Sequence, residues 1–196
     1  RVASRVPGTV ARVFSGVGDR VKKGDALALI DAAEVGRAKA DLLDALAQSD
    51  LGEQNVSRLT PLKEQQIIPG VRLLEARTAL EQSRISAQRA QQSLANLGLR
   101  VSIDELRSLP AGQRADELRF LGIPDELRRD LADTVANSNL LPLTASLTGT
   151  VIECSVVAGE VIDPSQHLFE LADTSQMWIS FNVALEDAHL LKKGQK

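Results

Sequence analysis

Cysteine and histidine carry much of protein chemistry, and this chain of 196 residues holds few of them: one cysteine, Cys154, and two histidines, His167 and His189. Nucleophilic catalysis needs a Ser or Cys within reach of a His. Cys154 instead follows Val151-Ile152-Glu153, a run that reads as a strand. It reads as a small packed residue, with no neighbouring cue for a depressed pKa. Neither histidine has a second His or a Cys at ligand spacing. Asp163 and Asp187 lie near them, but turn and surface placement accounts for both. The single methionine, Met177, belongs to no Met or His cluster. The chain is expected not to be an enzyme, with no catalytic residue, no metal ligand and no cofactor.

Bulk properties narrow the remaining classes. A net charge of −3 argues against a nucleic-acid surface, which needs a concentrated basic patch. No run is long and apolar enough to span a bilayer. Aromatic residues make up only 3% of the chain, and Leu, Ala, Gln, Arg and Glu dominate, as in long helices packed on one another. The chain opens at Arg1 and closes on Gly194-Gln195-Lys196. Both ends are expected to be internal to a longer protein.

What must position any functional side chain is a repeat split by an insert. Val6-Pro7-Gly8-Thr9-Val10, Gly18-Asp19-Arg20-Val21 and Leu27-Ala28-Leu29-Ile30 recur as Leu147-Thr148-Gly149-Thr150-Val151, Gly159-Glu160-Val161-Ile162 and Leu168-Phe169-Glu170-Leu171, always 141 residues on. Short β-branched runs between glycine turns are strand chemistry. A half of this size cannot bury its own apolar face, so the halves are expected to close on each other as a flattened sandwich. Residues 1–31 form the first half and 144–174 the second.

The insert reads as helical. Asp31 and Glu34 form a capping-box pair. Val35, Ala38, Leu42, Ala45, Ser49, Gly52, Val56 and Leu59 alternate at steps of three and four, and so do Leu73, Ala76, Leu80, Ser83, Ala87, Ala90, Leu94 and Leu97. That is the seam of a coiled coil, here an antiparallel hairpin over residues 32–98. Pro69-Gly70 is the expected turn and Gly98 the expected C′ residue. Each arm of some 27 to 32 residues would be roughly 40–48 Å long at 1.5 Å per residue. Residues 99–143 read as a helical return: one helix capped by Ser102 and Glu105 and stopping near Pro110, a second from Asp116 to Leu121, and a third from Pro124 to Thr134. Its expected role is a spacer.

A sandwich split in this way resembles the periplasmic adaptor, or membrane fusion, family (HlyD-like; the adaptor subunit of resistance-nodulation-division efflux transporters). The residues that carry the resemblance are Pro7-Gly8-Thr9-Val10 with Gly18-Asp19-Arg20-Val21-Lys22-Lys23-Gly24, and Leu168-Phe169-Glu170-Leu171-Ala172-Asp173. Met177-Trp178-Ile179-Ser180-Phe181-Asn182-Val183 resembles the strand that enters the family's β-barrel domain, so 175–196 would be the start of that barrel. The resemblance implies an α+β fold: a lipoyl-like (barrel-sandwich hybrid) domain split by a coiled-coil hairpin. It implies a periplasmic location at the inner membrane, a ring of copies, an inner-membrane transporter as partner, and an outer-membrane TolC-like channel against the hairpin tip. The family's tip pattern is an Arg, a Leu four residues on, and a Ser or Thr seven beyond. Arg58 and Leu62 match, and Pro69 departs from it. Arg58 could donate to partner carbonyls or carboxylates, Leu62 could fill a groove, and Ile67, Ile68 and Pro69 would complete the docking surface. Pro61 should end or kink the first arm.

Two rival readings share these elements. A biotin or lipoyl carrier presents a modifiable lysine at the tight turn between its halves. The insert replaces that turn, Lys22 and Lys23 lie inside the first half, and Lys39 should be a plain surface residue of the first arm. Adaptors of ABC-type exporters or type I secretion systems use the same modules. The arms fit an efflux adaptor better than the longer hairpins of secretion adaptors.

Overall fold

The computed structural model describes residues 1–132, 138–175 and 182. In chain order the elements are β1 (Val2–Ala3), β2 (Gly8–Val13), β3 (Arg20–Val21), β4 (Ala26–Asp31), α1 (Ala33–Glu64), α2 (Gly70–Asn96), α3 (Ile103–Ser108), α4 (Ala111–Arg119), α5 (Asp125–Ala132), β5 (Leu140–Thr144), β6 (Gly149–Cys154), β7 (Val161–Ile162) and β8 (His167–Ala172). The strand entering a barrel, Met177–Val183, lies outside the described residues, apart from Asn182.

The strands form two four-stranded sheets, β1-β8-β6-β3 and β5-β4-β2-β7. Each half of the repeat lends two strands to the other half's sheet, β1 and β3 from the first half and β5 and β7 from the second. Val21 of β3 pairs with Gly149 of β6, and Ile162 of β7 pairs with Gly8 of β2. These two pairings are the same pairing under an internal two-fold, because each residue lies 141 positions from its counterpart. The exchange solves the burial problem of a lone half. Val10 and Val151, Leu27 and Leu168, Val21 and Ile162 are all buried in one continuous core. The repeated glycines are close-approach positions. A Cβ on Gly8 would lie 2.5 Å from the Asp31 carbonyl oxygen, and one on Gly149 would collide with the equivalent oxygen of Ala172.

In the hairpin the repeated apolar positions face each other, as the seam predicts. Leu73, Ala76, Leu80, Ser83, Ala87, Ala90 and Leu94 of α2 are all buried. Gly98 is the C′ residue of α2 at φ 93°, with Gly98 N–H on the Ala95 carbonyl and Leu99 N–H on the Leu94 carbonyl. That is the bond pattern of a Schellman stop.

Several local expectations need correction. α1 starts from Ala32, which offers no side-chain cap; Asp31 stays in β4, opposite Thr9 and Leu140. The sheet ladder claims Asp31 before the helix can. Pro61 does not end α1, which runs on to Glu64. The proline is exposed and one turn from the end, so the carbonyl it deprives faces water. Reversal occurs over Gln65–Pro69, and Gly70 is already helical. α4 begins at Ala111 rather than Asp116, because the Pro110 carbonyl accepts from Gln113 and Arg114 and starts the helix there. α5 starts one residue after Pro124. β5 begins at Leu140, ahead of the boundary expected at 144, because Leu140, Leu141, Pro142 and Leu143 all pair with β4. The Ser102 cap is present: its Oγ accepts from Glu105 N–H at 3.3 Å.

Candidate functional site

The hairpin tip is built by a helix stop with an unusual residue in it. Gln66 N–H donates to the Lys63 carbonyl and Ile67 N–H to the Leu62 carbonyl, which places Gln66 at C′ with φ 59°. Glycine normally fills that left-handed position. The stop brings Leu62 and Ile67 together through the backbone. Ile67 is 63% exposed, Ile68 is half-buried, and Pro69 is exposed at the N-cap of α2. Leu62 is half-buried at the edge of the seam. Arg58 lies one turn below, about 6 Å along the helix from Leu62. Its guanidinium is exposed and donates to Asn55 Oδ1 at 3.0 Å. Arg58 also lines an open groove of about 570 Å³ together with Leu51, Asn55, Ala79 and Ser83.

Reading the sequence by its seam passed over two tip residues. Val71 and Leu74 of α2 are 63% and 65% exposed, and Leu74 lines a groove with Thr60, Lys63 and Glu64 of α1. The signal was available: they fall off the seam at a spacing of three, close in sequence to Ile67, and among the described residues none buries them.

Below the tip, the polar residues that matter are structural in their contacts. Lys39 is buried, 2% exposed, and the expectation of a surface lysine is overturned. Its Nζ donates to the carbonyls of Arg119, the last residue of α4, and Leu140, the first of β5, at 3.2 and 3.1 Å. Burial pushes its ammonium pKa down to about 8. Higher on α1, Arg107 of α3 reaches Ser49 Oγ at 2.9 Å and Glu53 at 2.6 Å. Arg114 of α4, 9% exposed, pairs with Asp50. Arg84 of α2 meets Glu53 at 3.0 Å. The hydrogen bonds from Arg107 and Arg84 hold the Glu53 carboxyl below its usual range. Residues 99–121 are therefore docked on the hairpin and are more than a spacer. Among the described residues, no group of three or more His, Cys, Asp and Glu could hold a metal ion, and no helix is long and apolar enough to cross a membrane.

A two-fold sandwich split by a coiled-coil hairpin is specific enough to compare with known proteins. Residues 1–173 match the model of the CzcB-like barrel-sandwich hybrid domain. The chain belongs to the CzcB-like barrel-sandwich hybrid family. The resemblance to efflux membrane fusion proteins, and the fold it implied, are borne out. Among its relatives are the cation efflux system protein CzcB of Alcaligenes sp. (strain CT14) and the cobalt-zinc-cadmium resistance protein CzcB of Cupriavidus metallidurans. Each is 28% identical over all of this chain and 31% of the relative. The chain thus spans about a third of the length of the curated relatives it matches. The crystal structure of ZneB from Cupriavidus metallidurans shares the fold, with a TM-score of 0.58 at 23% identity over 89% of this chain and 60% of that one. In this family's terms, β1–β8 are the barrel-sandwich hybrid and α1–α2 its inserted hairpin.

Proposed function

We propose that the chain is the sandwich-and-hairpin part of a periplasmic adaptor in a tripartite efflux pump. It links an inner-membrane resistance-nodulation-division transporter to an outer-membrane TolC-like channel. The observation that supports this is the paired geometry of the sandwich. The hairpin leaves from the end of β4, and the onward chain leaves from the end of β8, the two-fold equivalent strand. One small rigid module thus carries two attachments. This is the work of a connector, and we read it as non-enzymatic. The exported substrate we propose is a divalent transition-metal cation. That rests on the names of the relatives, which are cobalt-zinc-cadmium and nickel-cobalt resistance proteins, and not on a site in this chain.

Docking is assigned to the tip: Arg58, Leu62, Ile67, Ile68 and Pro69, extended by Val71 and Leu74. A single tip offers little area, so engagement depends on several copies acting together in a ring. The test is Arg58→Cys in the full-length protein, with crosslinking in cells. Capture of an outer-membrane channel protein is the expected result. A folded, exported variant that captures none would defeat tip docking. For the substrate, loss of the adaptor should lower tolerance to zinc, cobalt or cadmium salts; unchanged tolerance to all of them would defeat that reading.

A further inference from the structure

A two-helix hairpin joined to a sandwich by two short connections would be expected to swing about its base. The packing here points elsewhere. We propose that residues 99–121 buttress the hairpin, making its lower half one rigid body with the sandwich and leaving the upper half, beyond Gly52 and Ser83, to bend on its own.

The first support is the core. One cluster of buried residues runs without a break from Val10, Ile30 and Val151 in the sandwich to Leu42 and Leu46 of α1 and Ala87 and Leu94 of α2. Leu106, Leu118 and Leu121 of the return segment belong to the same cluster. The seam residues nearer the tip, Leu73, Ala76 and Leu80, are outside it. Along α1, seam burial is complete through Ser49, whereas Gly52, Val56 and Leu59 are only half-buried. A densely packed interior transmits strain, and a thin two-helix seam does not.

The second support is polar and independent of the first. The return segment grips α1 at two heights. At the base, Lys39 ties α1 to the end of α4 and the start of β5 through two backbone carbonyls. Near the junction, Arg107 and Arg114 hold Ser49, Asp50 and Glu53, and Arg84 draws α2 into the same network. Arg114 is itself fixed, donating to the Leu109 and Arg107 carbonyls at 3.0 and 3.2 Å. Above Glu53 and Arg84, no third element of the described chain supports the hairpin. At the junction lies Gly52, whose missing side chain leaves the α1 backbone against Leu80, and above it Pro61 deletes one helical donor. A bend placed there lets the tip adjust to a partner without disturbing the sandwich.

The test is amide hydrogen exchange in the full-length protein. Residues 38–50 and 84–96 should exchange at least tenfold more slowly than 55–64 and 71–80. Equal rates in the two halves would overturn the proposal. Replacing the grip with Arg107→Met and Arg114→Met should speed exchange of 38–50 at least tenfold, with β2 and β6 unchanged. An unaltered lower half would also overturn it. If that variant does not fold, spin-label distances in the otherwise wild-type chain decide. The distribution from position 12 to position 47 should be narrow and that from 12 to 75 broad; equal widths would refute the buttress.

Discussion

Lys39→Met isolates the cost of a buried ammonium. In the folded chain the group titrates near 8, against 10.5 for the free side chain. Because the folded value is depressed, the unfolded chain binds more protons between those limits. Stability therefore rises with pH from about 8 to 10.5, and the full penalty is present below 8. A displacement of that size is worth about 3 kcal/mol at 1.36 kcal/mol per unit. Between pH 7 and pH 10 the recovered part is about 2.5 kcal/mol, since the unfolded lysine is still partly protonated at pH 10. A neutral amine can still donate to both carbonyls, so deprotonation removes the charge and keeps the bonds. Methionine removes both, leaving the Arg119 and Leu140 carbonyls to find other donors, at about 1–3 kcal/mol each where they stay buried. Urea unfolding of both proteins at pH 7 and pH 10 provides the measurement. The difference between wild type and Lys39→Met should move by about 2.5 kcal/mol in favour of wild type as pH rises, other titrations cancelling. A difference that stays constant with pH would mean that Lys39 keeps an ordinary pKa, and that the burial argument is wrong.

Three further outcomes follow from the same packing. Gly149→Ala and Gly8→Ala press a methyl group onto a neighbouring strand's carbonyl. Each should cost about 1–3 kcal/mol by denaturant titration, with similar values at the two sites because the two-fold makes their surroundings alike. Gln66→Gly relieves the left-handed strain at the tip and should stabilise the chain by up to about 1 kcal/mol, seen as a raised Tm. Glu53, its pKa lowered by the hydrogen bonds from Arg107 and Arg84, stabilises above its unfolded value of 4.5, and that contribution fades as pH falls through the folded one. Its carboxylate is partly exposed, so Glu53→Gln should cost under about 1 kcal/mol at pH 7, and the cost should shrink as pH is lowered below 4.5.

The strands and the seam were legible because they are written as period and repetition. Val10 with Val151 and Leu27 with Leu168 announced their shared environment by recurring at one offset, and a run such as Leu73, Ala76, Leu80 has only one face to bury. Site residues were harder. The exposed Val71 and Leu74 were hidden by attention to the seam. The local signals that misled, Asp31 as a cap and Pro61 as a stop, are weak preferences of about a kilocalorie or a few, which sheet pairing and solvent exposure outweighed.

By itself, then, the sequence determined the two-fold sandwich and the hairpin that interrupts it. Each of these depends on short-range periodicity or on internal copying, which a linear chain displays openly. Only the tertiary structure decided that Lys39 is buried, that β5 begins at Leu140, and that Arg107 and Arg114 clasp Ser49, Asp50 and Glu53. Those contacts join residues more than fifty positions apart, and no local pattern encodes which distant carbonyl or carboxylate a lysine or arginine will meet once the core has closed.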